Sequence, residues 1–161
     1  MISVLFVCLG NICRSPTAEG IFRATCQQRE LSGQFRIDSA GTAEWHVGKP
    51  PDTRALRAAR GRGVDLSMLR ARQVEAADFE NFDFILAMDE SNVEDLVAMR
   101  PEGSSAHLHR FLEFNQSANS LDVPDPYYGG DEGFELVLDL ITKASEGFLD
   151  HLIATGHIES N

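Results

Sequence analysis

Cysteine is scarce in this sequence. Cys8, Cys13 and Cys26 are the only three, too few and too odd in number for a disulfide framework. Such usage fits a reducing, cytoplasmic compartment, with thiols that are either reactive or buried. Long hydrophobic runs are missing too. No apolar stretch approaches the roughly 20 residues that a membrane-spanning helix needs, so no membrane partner is expected. Met1 to Val7 is short, has no basic flank and ends in bulky residues, so no secretory signal is read there. Excess positive charge is absent: the formal net charge is −11, which argues against general nucleic-acid binding. Cys8 and Cys13 are spaced too widely for a structural zinc pair, and no second ligand pair accompanies them. No metal or organic cofactor is expected. Repeats, low-complexity tracts and long linkers are likewise missing, which leaves residues 1–161 as one domain.

What is present begins with the first strand. Ile2 to Val7 is an apolar run rich in β-branched and aromatic residues and reads as a buried strand. Ser15-Pro16 reads as the N-cap and first residue of a helix. Cys8 to Arg14 is then a loop between the C-terminal end of a strand and the N-terminus of a helix, where open α/β sheets bind ligands. A helix N-terminus offers unpaired N–H donors and partial positive charge, so the loop suits an anion. A thiol attacks as its thiolate, which such a terminus and a nearby arginine favour. Arg14 can grip two oxygens of a tetrahedral oxyanion with its planar fork. Gly10 permits backbone angles closed to other residues; Asn11 tolerates left-handed ones, and its side chain can tie the loop across itself. The backbone from Leu9 through Gly10, Asn11, Ile12 and Cys13 can thus form an anion-binding nest. This pattern supports attack of Cys8 on phosphorus while loop amides and Arg14 hold the other oxygens.

Further along, helical spacing continues to about Arg29, with Ala18, Ile21, Phe22 and Thr25 on one face and Cys26 as a small semi-buried residue. A second strand spans 34–40 and ends at Ser39-Ala40-Gly41-Thr42. The loop 42–52 holds the single tryptophan, Trp45, which either packs on a substrate ring or anchors its own loop. Asp52 opens a helix to about Arg60, whose arginines 54, 57, 60 and 62 read as a solvated face. A short acidic helix is expected around 75–79, a strand at 82–88, and a helix from Asp89 to about Met99, with Asp89 as its cap. A strand at 106–111, an irregular stretch at 113–124 and a final helix at 132–151 complete the chain. The alternation of strands and helices gives an α/β fold, a parallel sheet with helices on both faces. Charge is lopsided: residues 1–72 are net +5 and residues 73–161 net −16. Either the first part attracts an anionic substrate or the charges are solvated helix faces.

Pro124-Asp125-Pro126-Tyr127-Tyr128 is the second informative stretch. Prolines on both sides stiffen the backbone around Asp125. A phenol, with a pKa of about 10, leaves more readily when an acid protonates its oxygen. A positioned carboxyl contributes about 10²–10⁴-fold to such a step. Tyr127 and Tyr128 would wall a slot deep enough for an aryl phosphate. The plainer reading is a turn with an exposed Asp.

Val7-Cys8-Leu9-Gly10-Asn11-Ile12-Cys13-Arg14-Ser15-Pro16 resembles the signature of the low-molecular-weight protein tyrosine phosphatases. Asp125-Pro126-Tyr127-Tyr128 resembles the acid loop of that family, in the same order, and the resemblance spans essentially the whole chain. It implies a four-stranded flavodoxin-like sheet of order 2-1-3-4. It implies hydrolysis of phosphotyrosine in proteins, and of small aryl phosphates, through a cysteinyl-phosphate, with inorganic phosphate as product and a monomer as the working form. It also implies roles: Cys8 as nucleophile, Arg14 on the equatorial oxygens, Asp125 as acid, Ser15 donating to the thiolate, Asn11 and Ser39 holding the loop, and Asp89 packed beneath it. Trp45 would lie in the substrate-recognition loop, beside Tyr127 and Tyr128.

One position departs from the pattern. The family often carries a His two residues past a Ser after the second helix, supporting the loop Asn; here Ser67 is followed by Leu69, so the network around Asn11 is expected to be rebuilt or looser. Rival readings exist. A thiol-dependent arsenate reductase of this fold would need cysteines around and after the third strand, and Ala87 and its neighbours are thiol-free. A protein-arginine phosphatase would carry Thr at Ile12 and lack the paired tyrosines. A non-enzymatic phosphate-binding module would not need Cys8, Arg14 and Asp125 together. Cys13, near Cys8, is expected to form a protective disulfide with it under peroxide.

Overall fold

The computed structural model describes residues 1–160. Among these, four strands pair in parallel in the order β2-β1-β3-β4: β1 (Ile2–Cys8), β2 (Phe35–Gly41), β3 (Phe84–Ala87) and β4 (His107–Arg110). The helices are α1 (Arg14–Gln28), α2 (Thr53–Arg60), the single turn α3 (Asp78–Asn81), α4 (Glu90–Met99) and α5 (Asp131–Ala154). This is the fold class and strand order expected. No helix among the described residues is long and apolar enough to cross a membrane.

β1 is central and apolar on both sides, as a strand covered on both faces must be. Val4, Phe6 and Cys8 point to one face, with Phe22 of α1 and Phe148 of α5; Leu5 and Val7 point to the other, with Ile85, Ala87 and Leu96 of α4. Phe148 is a hub of the first face, with ring centroids 5.6 Å from Phe22, 5.4 Å from Phe84 and 4.9 Å from Phe114. Each such ring removed from water contributes on the order of 1.5–3 kcal/mol. The chain leaves β1 for β2 on one side, while β3 and β4 extend on the other. Strand order therefore reverses between β1 and β3, and a crevice opens above their C-terminal ends. Cys8 ends β1, and Asp89 follows β3 closely.

Several expectations shift. α1 begins at Arg14, with Cys13 in the cap position, so Ser15 is not the N-cap; it lies in the first turn, and its hydroxyl serves the loop instead. Pro16 is still within that turn, where a missing N–H costs nothing. α3 starts at Asp78 rather than 75, because the Asp78 carboxylate accepts the Glu75 N–H at 2.8 Å and holds 75–77 as a turn. The stretch after β4 includes a 3₁₀ turn, Phe111–Phe114, that drives two rings into the core. Cys26 is fully buried rather than semi-buried.

The arginines after Asp52 are not simply solvated. Arg57 meets Asp131 at 3.6 Å, and Arg62 meets Glu135 at 2.8 Å and Asp139 at 2.9 Å on α5. Arg29 meets Asp150 at 3.0 Å, and Arg72 meets Asp78 at 3.0 Å. The surplus cations of the first part of the chain thus face acids of the second.

α5 packs so tightly on the 3₁₀ turn that a β-carbon at Gly147 would collide with the Phe114 carbonyl. Gly147→Ala, which should favour a helix by about 1 kcal/mol from propensity alone, is expected instead to destabilise by about 1–3 kcal/mol through overpacking. Urea unfolding of the two proteins checks the sign.

Candidate active site

The loop from Cys8 to Arg14 is closed from outside. The Cys8 and Leu9 carbonyls accept from Thr42 N and Ala43 N, both at 2.9 Å, and the Ile12 carbonyl accepts from Asp52 N at 2.8 Å. The Cys13 carbonyl accepts from the Thr17 hydroxyl at 2.6 Å. In a trans peptide the next N–H points opposite to the carbonyl. The N–H groups of Leu9, Gly10, Cys13 and Arg14 therefore turn toward the inside of the loop, while Asn11 N donates to Cys8 Sγ at 3.3 Å. The loop bends at Asn11, whose φ is 55°. Gly10 does not supply the left-handed angle; it is small because a β-carbon would lie 2.9 Å from His46 Cδ2. Gly41 is small for a similar reason, since a β-carbon there would lie 2.7 Å from the Leu9 carbonyl oxygen.

Behind the loop runs a directed chain of hydrogen bonds. Asn11 Nδ2 donates to Ser15 Oγ at 2.7 Å and to Ser39 Oγ at 3.0 Å, and Asn11 Oδ1 accepts from Arg72 N at 3.0 Å. Ser39 in turn donates to Glu19 Oε1 at 2.7 Å, and Arg23 donates to Glu19 Oε2 at 2.9 Å. Asn11 donates to the Ser15 hydroxyl, which lies 3.0 Å from Cys8 Sγ and 3.4 Å from the Ala40 carbonyl; toward a Cys8 thiolate, which can only accept, Ser15 is the donor. The network around Asn11 is thus rebuilt without a histidine at Leu69.

Arg14 is only 3% exposed. Its Nη1 donates to Asp89 Oδ2 at 2.6 Å and to the Val123 carbonyl at 3.0 Å, and its Nη2 lies 3.6 Å from Asp125 Oδ2. Burial works against the cation, but Cys8, Asp89 and Asp125 more than offset it and raise its pKa. Asp89 does two jobs, since its other oxygen caps α4 by accepting Asn92 N at 2.8 Å. Asp125 Oδ1 accepts Tyr127 N at 3.0 Å, which fixes the carboxyl in an Asx turn.

These groups surround one pocket of about 190 Å³, walled by Cys8, Leu9, Gly10, Ile12, Cys13, Arg14, Trp45, His46, Asp125, Tyr127 and Tyr128. Cys8 is 2% exposed at its base. Trp45 does not anchor its own loop: it is 67% exposed at the rim, as is Tyr128 at 93%. Tyr127 and Tyr128 meet edge to face with centroids 5.0 Å apart. Asn11, Ser15, Ser39 and Asp89 lie behind the wall. His46, Glu19 and Arg72 were not singled out from the sequence, and Asp52 and Arg54 were read only as a helix start and part of a solvated face, whereas Arg54 bonds to Asp52, Tyr127 and Gly129. Glu19 left a trace, one helical turn from Ser15; His46 left only its place beside Trp45. Cys13 packs with Ala55 and Phe134, and burial, with Asp52 and Cys8, pushes its thiol far up. Among the described residues no group of three or more His, Cys, Asp or Glu side chains is arranged to hold a metal ion.

A Cys-x5-Arg loop at the switch point of a parallel sheet defines a class, the cysteine-dependent phosphatases of flavodoxin-like fold. The family described as low molecular weight phosphotyrosine protein phosphatase matches residues 3–157. The chain is 44% identical to the Bacillus subtilis low molecular weight protein-tyrosine-phosphatase YfkJ, over 92% of this chain and 94% of that one. A protein tyrosine phosphatase structure from Entamoeba histolytica superposes with a TM-score of 0.92 at 37% identity, over 98% of this chain and all of that one. A Drosophila arginine phosphatase superposes with a TM-score of 0.85 at 33% identity, over 92% of this chain and 96% of that one. The chain belongs to the low molecular weight phosphotyrosine protein phosphatase family.

Burial raises the Glu19 pKa, against the hydrogen bonds from Ser39 and Arg23. A carboxyl whose folded pKa is raised binds its proton more tightly in the folded state. It costs nothing below its ordinary value of 4.5, and its cost grows as pH rises through the raised one. Glu19→Gln is therefore expected to gain stability relative to the parent as pH increases through that window, seen as a diverging pair of urea midpoints. Parallel midpoints across pH overturn this.

Proposed function

We propose that the chain hydrolyses phosphotyrosine in proteins, and small aryl phosphates, with Cys8, Arg14 and Asp125 as its catalytic residues. The observation that carries this reading is the convergence of those side chains from two distant segments on one pocket, beneath an aromatic rim. The Cys8 thiolate attacks phosphorus in line with the phenol oxygen. The P–O bond breaks as the P–S bond forms, and Asp125 gives its proton to the departing oxygen. The loop N–H groups and Arg14 hold the equatorial oxygens, whose charge they meet without rearrangement. Asp125 then takes a proton from water, which attacks phosphorus, breaks the P–S bond and restores the thiolate with release of inorganic phosphate. Ser15 and Asn11 N steady the sulfur in both steps.

The mouth supports an aryl substrate. Trp45, Tyr127 and Tyr128 offer ring faces, and Ile12 adds an apolar wall. The structural likeness to an arginine phosphatase makes phosphoarginine the competing substrate to test. Arsenate reduction has less support, since Cys26 is fully buried in the core and no third thiol reaches the pocket. Three free thiols fit a reducing compartment such as the cytoplasm, and we propose a monomer as the working form.

With metal chelated, the parent protein is expected to turn over p-nitrophenyl phosphate and a phosphotyrosine peptide, Cys8→Ser to be inactive, and Asp125→Asn to be slower by about 10²–10⁴-fold. Preference for phosphoarginine over both would replace the substrate, and an active Cys8→Ser would remove the mechanism.

We further propose redox protection at this site. Peroxide converts the Cys8 thiolate to a sulfenic acid with loss of hydroxide; the Cys13 thiol then displaces water to close a disulfide. Peroxide-treated parent enzyme is expected to regain activity with dithiothreitol, while Cys13→Ser proceeds to sulfinic acid and stays inactive. Equal recovery of the two rules the disulfide out.

A further inference from the structure

The N-terminus of α2 ties the two loops of the pocket together. Asp52 N donates to the Ile12 carbonyl of the Cys8–Arg14 loop at 2.8 Å. The Asp52 carboxylate caps α2 by accepting Arg54 N at 2.8 Å, and accepts again from Arg54 Nε at 3.1 Å and Nη2 at 3.2 Å. The guanidinium so fixed reaches across to the segment after Asp125. Its Nη2 donates to the Tyr127 carbonyl at 2.8 Å and its Nη1 to the Gly129 carbonyl at 3.1 Å. Its central carbon lies over two rings, 5.6 Å from the Tyr127 centroid and 4.8 Å from that of Phe134 on α5. One side chain thus engages a carboxylate, two carbonyls and two aromatic faces, and every partner on the far side belongs to the acid loop or the helix behind it.

We propose that Arg54 is a positioning residue that holds Asp125 over the leaving oxygen. Between Arg54 and Asp125 the linkage is short: Arg54 fixes the Tyr127 carbonyl, and the Tyr127 N–H fixes Asp125 Oδ1 at 3.0 Å. The other tether is the long contact of Asp125 with Arg14, 3.6 Å, on a carboxyl side chain that is 38% exposed. Without Arg54 the segment 126–130 keeps its proline and two glycines but loses the side-chain donor to its Tyr127 and Gly129 carbonyls. Lysine cannot stand in, because a single ammonium cannot span the carboxylate and both carbonyls as a planar fork does. The phosphate-binding loop is closed by the backbone N–H groups of Thr42, Ala43 and Asp52, none of which is part of that fork.

The inference rests on the proposed acid role of Asp125, and the experiment separates the two. Arg54→Ala, Arg54→Lys, Asp125→Asn and the Arg54→Ala/Asp125→Asn double variant are compared with the parent on phenyl phosphate, whose phenol is a poor leaving group, and on p-nitrophenyl phosphate, whose phenol leaves readily. Inhibition by inorganic phosphate is measured alongside. Loss of acid placement is expected to lower kcat/KM for phenyl phosphate by at least about tenfold, a fraction of what a positioned carboxyl contributes. The loss on p-nitrophenyl phosphate should be several-fold smaller, and phosphate inhibition should be unchanged. Arg54→Lys should recover little, and in the double variant the Arg54 change should add nothing to the leaving-group dependence left by Asp125→Asn. Equal losses on both substrates, or a matching loss of phosphate affinity, would mean that Arg54 only supports the fold and would overturn the positioning role. If Asp125→Asn itself shows no leaving-group dependence, the acid assignment fails and the role of Arg54 falls with it.

Discussion

A buried cation holds this site together. Arg14 sits almost entirely out of water, and a lone guanidinium there would cost several kcal/mol. Asp89, the Val123 carbonyl and Asp125 repay that cost, from two parts of the chain distant from Arg14 and from each other. Satisfying one charge therefore fixes three things relative to one another: the start of α1, the turn between β3 and α4, and the stretch that carries the carboxyl. The thiol is held by the same logic on the opposite side of the loop, where Ser15 and Asn11 aim protons at its sulfur.

The direction of those protons is set at a distance. Glu19 can only accept when ionised, so Ser39 donates to it; Ser39 then accepts from Asn11, Asn11 donates to Ser15, and Ser15 is left facing the thiol with a proton. The carboxylate is buried against its own solvation preference. Stability is given up at neutral pH for a chain of donors that all point one way, a pattern common where a site is preorganised.

Much of this was legible in the residues. The apolar run before Cys8 and the proline after Ser15 marked the strand–loop–helix, and alternating elements marked the parallel sheet. The paired prolines around Asp125 marked a fixed carboxyl. What sequence reasoning missed was long-range and polar. Arg54 and Arg57 share a basic run, yet one spans two loops and the other meets an acid on α5 at the surface. Spacing cannot separate them, because the difference lies in what α5 and the acid loop bring near. Ser15 looked like a cap because it precedes a proline; its hydroxyl instead accepts from Asn11 and faces the Cys8 sulfur. Gly10 looked like a torsional need and was a steric one, since the left-handed residue is Asn11 itself.

The position of β1 in the sheet carries a consequence for how the molecule assembles. The first strand in the sequence is the central one, and its two neighbours begin only at Phe35 and Phe84. Its inner face is then covered by α5, the last helix. Parallel neighbours so far apart in sequence must close long loops before any pairing rewards them, which makes folding slow and strongly cooperative. The nucleophile is thus among the first residues of the sequence, while the partners of the cation beside it lie in the second half. Until the distal half supplies Asp89, Val123 and Asp125, the cation beside the thiol has none of these partners, and the pocket above the sulfur lacks its carboxyl.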